Sequence, residues 1–215
     1  GLISKAVAST GFELFKAVGW YVVTIGAGLT IHLFVVLPLV FWLLTRINPL
    51  KHFKAIASAM ATAFSTSSSG ATLPVTMDCV ENRAGVSNKV TSFVLPLGAT
   101  INMDGTALYE CAGVLFISQA LGFDLSFTQQ FIVVITAFLA SVGAAAIPSA
   151  GLVMIFIVLD AVGLGNHPQA AIIVGTMLAV DRPLDMFRTV VNVTSDTMGA
   201  VIVDKSEGED VLSDN

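Results

Sequence analysis

Charged residues are scarce in this chain of 215 residues. Asp, Glu, Lys and Arg make up 12% of it, whereas hydrophobic residues make up 55%. Average soluble domains carry about 25% charged residues. The run Val18 to Thr45 has none of the four charged types and exceeds the roughly 20 residues that cross a bilayer core. The composition therefore excludes an ordinary soluble domain and predicts an all-α polytopic membrane protein with a transmembrane helix at Val18 to Thr45, in which His32 is interpreted as a packed or interfacial side chain.

Cysteine is also rare, and it shows no metal-binding pattern. Cys79 and Cys111 lie in different apolar segments without a CxxC pair, which excludes a disulfide framework and a zinc site. The net charge of -5 comes largely from an acidic end, for which we predict a disordered tail over 204–215. No basic surface suggests a nucleic-acid partner. The chain begins at Gly1 without Met, so we expect a fragment in which 1–50 hold the end of one membrane helix and a complete second one.

Two apolar segments are too short to cross a bilayer and run into polar tips. Phe53 to Phe64 rises only about 18 Å as a helix and leads into a serine-rich stretch, Ser65 to Pro74. Thr128 to Ser141 is followed by a Gly- and Pro-containing stretch and a second short apolar arm. Irregular backbone at membrane depth is tolerated where it is buried in protein or lines a cavity. We therefore predict two re-entrant helical hairpins, at about 51–84 and 128–163.

A helix with polar interruptions follows each predicted hairpin. The first, 86–121, is interrupted at Asn102 to Gly105, and the second, 168–203, carries a polar stripe. Paired interrupted segments indicate a transporter built from repeats, with its binding site near the midplane of the membrane. The sequence therefore predicts a transport domain over 51–203, with a kinked structural bundle as the alternative.

The polar stripe places ionisable groups on one face of the last apolar helix. Its members are spaced three or four residues apart, and they are Asp181, Asp185, Arg188, Asn192 and Asp196. Contact with lipid would cost several kcal/mol for each charge. The stripe is therefore expected to face protein, water or a bound solute.

The distribution of Lys and Arg predicts the orientation in a cell membrane. The basic residues outside the apolar segments fall on one side of the predicted topology, and they are Arg46, Lys51, Lys54, Arg83, Lys89 and Lys205. The connections on the other side, 122–127 and 163–167, contain neither Lys nor Arg. Lys16, near the outer start of the first long helix, is the exception. Because cytoplasmic loops are enriched in Lys and Arg, we place the C-terminal tail inside the cell.

Four ordered motifs carry a resemblance to a known family. They are SSSGATLP (67–74), NMDGTALYE (102–110), GAAAIPSAG (143–151) and DMFRTVVNVTSD (185–196). The chain resembles the C-terminal half of the glutamate transporter family, the dicarboxylate/amino acid:cation symporters. The resemblance implies a fold of inverted repeats, a homotrimer, and sodium-driven uptake of L-glutamate or L-aspartate by an elevator-type movement. A C4-dicarboxylate symporter and a proton-only symporter are the alternatives within the family.

The resemblance assigns substrate-binding roles. A buried guanidinium matches a carboxylate in two-point contact, so Arg188 is predicted to hold the side-chain carboxylate of the substrate. The alternative is a structural ion pair with Asp185 or Asp181. By resemblance, Asp185 holds the substrate's amino group, which favours an acidic amino acid. The remaining substrate positions implied by the resemblance are Thr106, Thr189, Asn192, Ser69, Ile147 and Gly151.

The resemblance also implies three sodium sites, with sodium as a coupling ion and no other cofactor. One site comprises Gly98, Asn102, Asn192 and Asp196. A second, which forms as the gate closes, comprises Thr100, Ser141, Val142 and Ala144. Asp104 belongs to a third. Asn102, Asp104 and Asp196 are expected at helix breaks, where unwound backbone supplies carbonyl oxygens.

Glu110 predicts proton coupling, because an acid in an apolar helix segment favours its neutral form and can carry a proton. Members of the family with glutamate here couple a proton as well as sodium, often with potassium counter-transport. One departure concerns a second arginine of the family, in whose two usual places this chain has Ser67 and Met186. Arg182, one turn before Met186, is predicted to extend toward Asp185 as a replacement.

Two other classes of protein compete with a transporter. Asp104 and Asp185 resemble the carboxylate pair of an intramembrane aspartyl protease. The GxGD sequence of such enzymes is missing, however, and Arg188 beside Asp185 opposes a shared proton. A serine protease is disfavoured because Ser69 lacks a suitably placed base. A channel is the nearer rival, since polar tips and a charged stripe can line a pore.

Overall fold

A computed structural model describes residues 18–144, 150–209 and 211–212, and every regular element among them is a helix. The predicted Ile147 lies outside the described residues. The helices are Val18–Thr45 (α1), Pro49–Ala55 (α2), Ala57–Thr66 (α3), Ser69–Asn82 (α4), Asn88–Ile101 (α5), Asp104–Ala120 (α6), Phe127–Val142 (α7), Ala150–Ala161 (α8) and Ala170–Ser206 (α9). The all-helical class predicted from the sequence is therefore confirmed.

Helix α1, which the structure describes from Val18, is long and apolar enough to cross a membrane and ends at Thr45. A π-helical stretch, His32–Val36, interrupts its α-helical geometry. Such stretches are frequent at functional sites, because the extra residue in the turn re-aims the side chains. One side of α1 packs into the molecule through Ile25, Leu29 and Phe41, while the other exposes large apolar side chains.

The segment after α1 forms two helical arms that lie side by side. Helices α3 and α4 contact each other along their length, and α2 leads into α3 with only Ile56 between them. The turn is made at Ser67, whose φ of 53° is left-handed, and at Ser68, whose Oγ accepts a hydrogen bond from Ala71 N at 3.1 Å. At the opposite end, Arg83 Nη1 donates to Ser58 Oγ at 2.9 Å. The predicted serine-rich tip is thus a two-residue turn capped by its own hydroxyl.

Helices α7 and α8 form a second pair of packed arms. Helix α7 begins with a capping box, in which Ser126 Oγ accepts from Gln129 N and the Gln129 side chain accepts from Ser126 N at 2.9 Å. Such a box satisfies backbone donors that a helix start would otherwise leave unpaired. The connection between the arms, 145–149, lies outside the described residues.

A break separates α5 from α6 where the sequence predicts one. Asn102, with φ -95° and ψ 94°, and Met103 leave the helical region, and α6 begins at Asp104. A break leaves backbone amides and carbonyls without partners in the helix. These groups need partners from elsewhere in the fold.

Helix α9 is the hub of the molecule, because it packs against α1, α3, α4, α5 and α6. It runs for 37 residues without a break, although Pro183 lies inside it. The expectation that Asp196 stands at a helix break is therefore wrong. Polar side chains from neighbouring helices satisfy the stripe of α9, so the helix has no need to unwind there.

The acidic end is more ordered than predicted. Helix α9 continues to Ser206, and the buried Asp204 accepts hydrogen bonds from Ser87 N at 3.1 Å and Ser87 Oγ at 2.5 Å. The chain then turns back, so that Leu212 N donates to Ala84 O at 3.0 Å and Val211 is buried. Disorder is thus the wrong expectation for 204–209 and 211–212. Hydrogen bonds to a carboxylate and burial of an apolar side chain hold this segment.

We predict that Asp204→Ala destabilises the fold, because Ser87 loses a charged acceptor that lies in a buried position. A hydrogen bond to a charged group contributes about 1.5–3 kcal/mol. The apparent melting temperature of the full-length protein in detergent should fall by several degrees. Glu209→Gln, a change at an exposed neighbouring position, is the control. Equal melting temperatures for both variants would contradict the role of Asp204.

Candidate functional site

The stripe on α9 is buried against protein. All five members are nearly inaccessible: Asp181, Asp185, Arg188, Asn192 and Asp196. Burying this many polar groups is costly unless each finds partners, so their contacts indicate what the face is built for. Tyr109 on α6 supplies one of them, since its hydroxyl donates to Asp181 Oδ1 at 2.7 Å.

Arg188 and Asp185 form a buried ion pair at the centre of the stripe. Arg188 Nη2 donates to Asp185 Oδ1, and the guanidinium carbon lies 5.3 Å from the centroid of the Tyr109 ring. Among the described residues, Arg188 Nε has no hydrogen-bond acceptor although it is buried. Leaving a buried charged donor without an acceptor costs free energy, because the donor has lost its hydrogen bonds to water. The guanidinium therefore has spare capacity that suits a carboxylate ligand.

Helices α6 and α8 complete a cradle around Arg188. A Cβ atom added to Gly151, near the start of α8, would overlap Arg188 Nη1 and lie 3.5 Å from Thr106 Cγ2. Asn192 Nδ2 donates to Thr106 Oγ1 at 3.0 Å. Four of the predicted substrate residues, Arg188, Gly151, Thr106 and Asn192, are thus brought together. Glycine is required at position 151 because the guanidinium lies against its backbone.

Two further predicted substrate residues are buried but engaged locally. Thr189 Oγ1 donates to the carbonyl of Asp185 at 2.9 Å, within its own helix. Ser69 is the first residue of α4, directly after the tip of the first pair of arms. Thr189 thus lies on the same helix as Arg188, and Ser69 lies at the start of α4.

A second cluster of oxygen atoms lies at the break between α5 and α6. Asn102 Nδ2 donates to Asp196 Oδ1 and to Ser195 Oγ, both at 2.8 Å. Ser195 Oγ in turn lies 2.9 Å from Asp104 Oδ1. A Cβ atom on Gly98 would lie 2.5 Å from Asp196 Oδ1, so the backbone of α5 closely approaches that carboxylate. The predicted residues of the first and third sodium sites therefore lie in one connected network.

The donors of this network fit a hard monovalent cation better than a transition metal. They are carboxylate and amide oxygens beside unwound backbone, which is the kind of site that sodium occupies in transporters with broken helices. Within the described part of the chain, no group of three His, Cys, Asp or Glu side chains is arranged to hold a metal ion. The cluster thus provides oxygens and negative charge without a transition-metal ligand set.

Two of the residues predicted for the second sodium site carry hydroxyl groups that bond within their own helices. Thr100 Oγ1 donates to Leu97 O at 2.8 Å and Ser141 Oγ donates to Phe138 O at 2.9 Å, so each hydroxyl bonds to its own helix. Val142 is exposed and Ala144 is buried. In the described ranges, no side-chain hydrogen bond joins these four positions.

The structure adds His32 to this network through a contact that the sequence does not predict. Its Nε2 atom lies 2.7 Å from Asp104 Oδ2, which joins α1 to the break between α5 and α6. The sequence interpretation placed His32 as a packed or interfacial side chain. No sequence signal shows that the π-helical stretch starts at this residue, and only the fold brings α1 beside Asp104.

Glu110 is fully buried on α6, one residue after Tyr109. Neither of its carboxylate oxygens has a hydrogen-bond donor among the described residues. A buried carboxylate without donors is costly as an anion, so the site favours the neutral acid.

Arg182 extends toward Asp185, with its Nη1 atom 3.8 Å from Asp185 Oδ2. Its role as a replacement for the family's second arginine stays a prediction.

Comparisons with known proteins agree on one family. The model of the sodium:dicarboxylate symporter family matches residues 1–206. The chain is 48% identical to excitatory amino acid transporter 3 of Mus musculus over 204 residues, which are 95% of this chain and 38% of that protein. It is 50% identical to an excitatory amino acid transporter of Caenorhabditis elegans over 188 residues, 87% of this chain and 36% of that protein. It is 51% identical to excitatory amino acid transporter 1 of Homo sapiens over 184 residues, 86% of this chain and 33% of that protein. The chain thus spans well under half the length of these relatives.

We predict that Gly98→Ala disrupts the oxygen cluster at the break. The added Cβ would lie 2.5 Å from Asp196 Oδ1, so the carboxylate must move and its bond with Asn102 is lost. The full-length protein should then lose the rise in apparent melting temperature that sodium chloride produces relative to choline chloride.

Gly199→Ala is the matched control, because a Cβ there has no atom within 4 Å. This change on α9 should keep the sodium effect and stabilise the helix slightly, since alanine favours helix over glycine by about 1 kcal/mol. A normal sodium response in Gly98→Ala would show that the cation does not bind at this cluster.

Proposed function

Because this chain belongs to the sodium:dicarboxylate symporter family, we propose that the whole protein takes up L-glutamate or L-aspartate, driven by a sodium gradient. The carrying observation is the buried Arg188, which holds Asp185 and has an unused Nε donor among the described residues. An acidic amino acid brings both groups that this pair needs. Its side-chain carboxylate would bind the guanidinium of Arg188, and its ammonium group would bind the carboxylate of Asp185.

This exchange of ion pairs favours an amino acid over a plain dicarboxylate. A dicarboxylate also satisfies Arg188, but it offers no positive charge to Asp185. Because Asp185 is fully buried, losing the contact with Arg188 costs free energy that a positive group on the ligand can offset. Asn192 and Thr106, already hydrogen-bonded to each other beside the guanidinium, are the side chains that orient the bound substrate.

Asn192 also supports coupling to sodium. Its side-chain oxygen accepts from Gly105 N at 2.9 Å, at the first turn of α6, while its side-chain nitrogen donates to Thr106 Oγ1. The helix break that carries Asn102 and Asp104 therefore shares a residue with the substrate cradle. We propose that sodium held by the oxygen cluster at the break orders Asn192 and Thr106 for the substrate. A cation that orders a site favours substrate binding by the same free energy as the substrate favours the cation.

Proton coupling is assigned to Glu110. A buried acid that is neutral when it faces a nonpolar environment can carry a proton through the membrane and release it where water reaches it. Potassium counter-transport stays a prediction. The family's second arginine is absent from its two usual places, where this chain has Ser67 and Met186.

The proposed assembly is a homotrimer in the cell membrane with the C-terminal tail inside the cell. The two pairs of arms, α3 with α4 and α7 with α8, serve as re-entrant hairpins of a transport domain. The second pair acts as the gate over the substrate. Movement of this domain through a scaffold, which the rest of the protein supplies, gives alternating access.

The first test is uptake of labelled L-aspartate, L-glutamate and succinate by the full-length protein in proteoliposomes, with and without an inward sodium gradient. We expect sodium-driven accumulation of an acidic amino acid that Arg188→Cys abolishes. Arg83→Gln, which alters an arginine at the far end of the α3–α4 pair, should leave uptake close to normal. Preference for succinate would overturn the role of Asp185, and the absence of gradient-driven accumulation of all three would indicate a channel or a different solute.

A second test addresses the proton. We predict that Glu110→Gln removes the dependence of net uptake on an inward proton gradient, because glutamine cannot release a proton. Sodium-dependent exchange of internal for external aspartate should persist, since the substrate and sodium residues are unchanged. Glu209→Gln is the control on an exposed carboxylate. A proton-gradient response that survives in Glu110→Gln would assign the proton to another group.

A further inference from the structure

Asp185 lies between two guanidinium groups of very different exposure. Arg188 binds one carboxylate oxygen and is buried, with 6% of its side chain exposed. Arg182 faces the other oxygen, with Nη1 3.8 Å from Oδ2, and 54% of its side chain is exposed. The carboxylate itself is fully buried. Both arginines lie three residues from Asp185 on the same helix, one on each side.

The contact with Arg182 is loose and adjustable. A separation of 3.8 Å is too long for a direct hydrogen bond, so Arg182 acts on Asp185 through its charge. A long side chain with its charged end half exposed can approach or leave the carboxylate without disturbing the packed core. Arg188, by contrast, is held by Tyr109 and by the backbone at Gly151.

We propose that Arg182 is a specificity-determining residue, the exchangeable positive partner of Asp185 when Arg188 turns to a ligand carboxylate. This inference rests on the proposed function, in which Arg188 takes the carboxylate of the substrate. At that moment Asp185 loses one of its partners. An amino acid replaces it with its own ammonium group, whereas a ligand without an amine depends on Arg182 to approach.

Other charged groups near Asp185 do not provide this replacement. Asp181, one turn earlier on α9, is an acid that already accepts from the Tyr109 hydroxyl. Glu110 on α6 is also an acid. Among the described residues, Arg182 is the positive group that lies beside Asp185 in addition to Arg188. Its presence therefore admits dicarboxylates, and its removal should restrict the site to ligands that carry an amine.

The test compares two competitors of labelled L-aspartate uptake by the full-length protein. Unlabelled L-aspartate has an amine, and succinate has the same two carboxylates without it. In Arg182→Gln, we expect the ratio of the succinate inhibition constant to the aspartate inhibition constant to rise at least about fivefold. Arg182→Lys keeps a positive charge, so the ratio of the inhibition constants should rise less in that variant. Arg83→Gln should keep the original ratio.

An unchanged ratio in Arg182→Gln, or a lower one, would overturn the proposal. So would succinate that fails to compete in the unaltered protein, because Arg182 then does not compensate Asp185. These outcomes differ from failure of the proposed function, in which the unaltered protein shows no sodium-driven uptake of L-aspartate at all.

A charge-restoration experiment covers the case in which Arg182→Gln folds poorly. Arg182→Cys is made in a background in which Cys111 and any cysteine outside these 215 residues are replaced by alanine, so that Cys79 is left as a buried native thiol. Modification with a cationic aminoethyl thiol reagent should return the inhibition ratio toward the original value, whereas a neutral methyl reagent should not. Equal effects of the two reagents would show that shape, and not charge, matters at this position.

Discussion

Burial of the Arg188–Asp185 pair constrains the rest of this structure. Two opposite charges in an apolar helix bundle are tolerated only with close geometry and further hydrogen bonds. Helix α9 is therefore enclosed on several sides, by Tyr109 and Thr106 on α6 and by the start of α8 at Gly151. The same requirement explains why α9 remains helical through Pro183, since neighbouring helices satisfy its polar groups and unwinding it would expose more.

The second constraint is the break between α5 and α6, which the protein satisfies with side chains from α9 and α1. Asn102 reaches Asp196, and Asp104 reaches His32 and Ser195. Both the ion pair and the break meet at Asn192, which bonds to Gly105 and Thr106. A cation bound at the break and a solute bound at Arg188 would therefore act on the same residue, which would couple their binding.

Much of this was predictable because charge is so rare in the chain. The spanning helix, the break at Asn102 and the buried face from Asp181 to Asp196 follow from where polar residues interrupt apolar runs, and four motifs identified the family correctly. Contacts between residues far apart in the chain could not be predicted from the sequence. Nothing in a single sequence places His32 beside Asp104, and neither the order after Asp204 nor the continuity of α9 follows from composition, because both depend on partners far away in the chain.

The contacts of α1 have a mechanical consequence. His32 bonds to Asp104, Tyr21 stacks on Phe116 at 4.9 Å between ring centroids, and Phe41 stacks on His52 at 5.0 Å. These three contacts attach α1 to the core at three levels along its length. If the core of this protein is displaced across the membrane, α1 would therefore move together with it. In such a movement, the surface that slides past its surroundings would be the apolar outer face of α1, where Trp20, Phe34 and Leu39 are exposed.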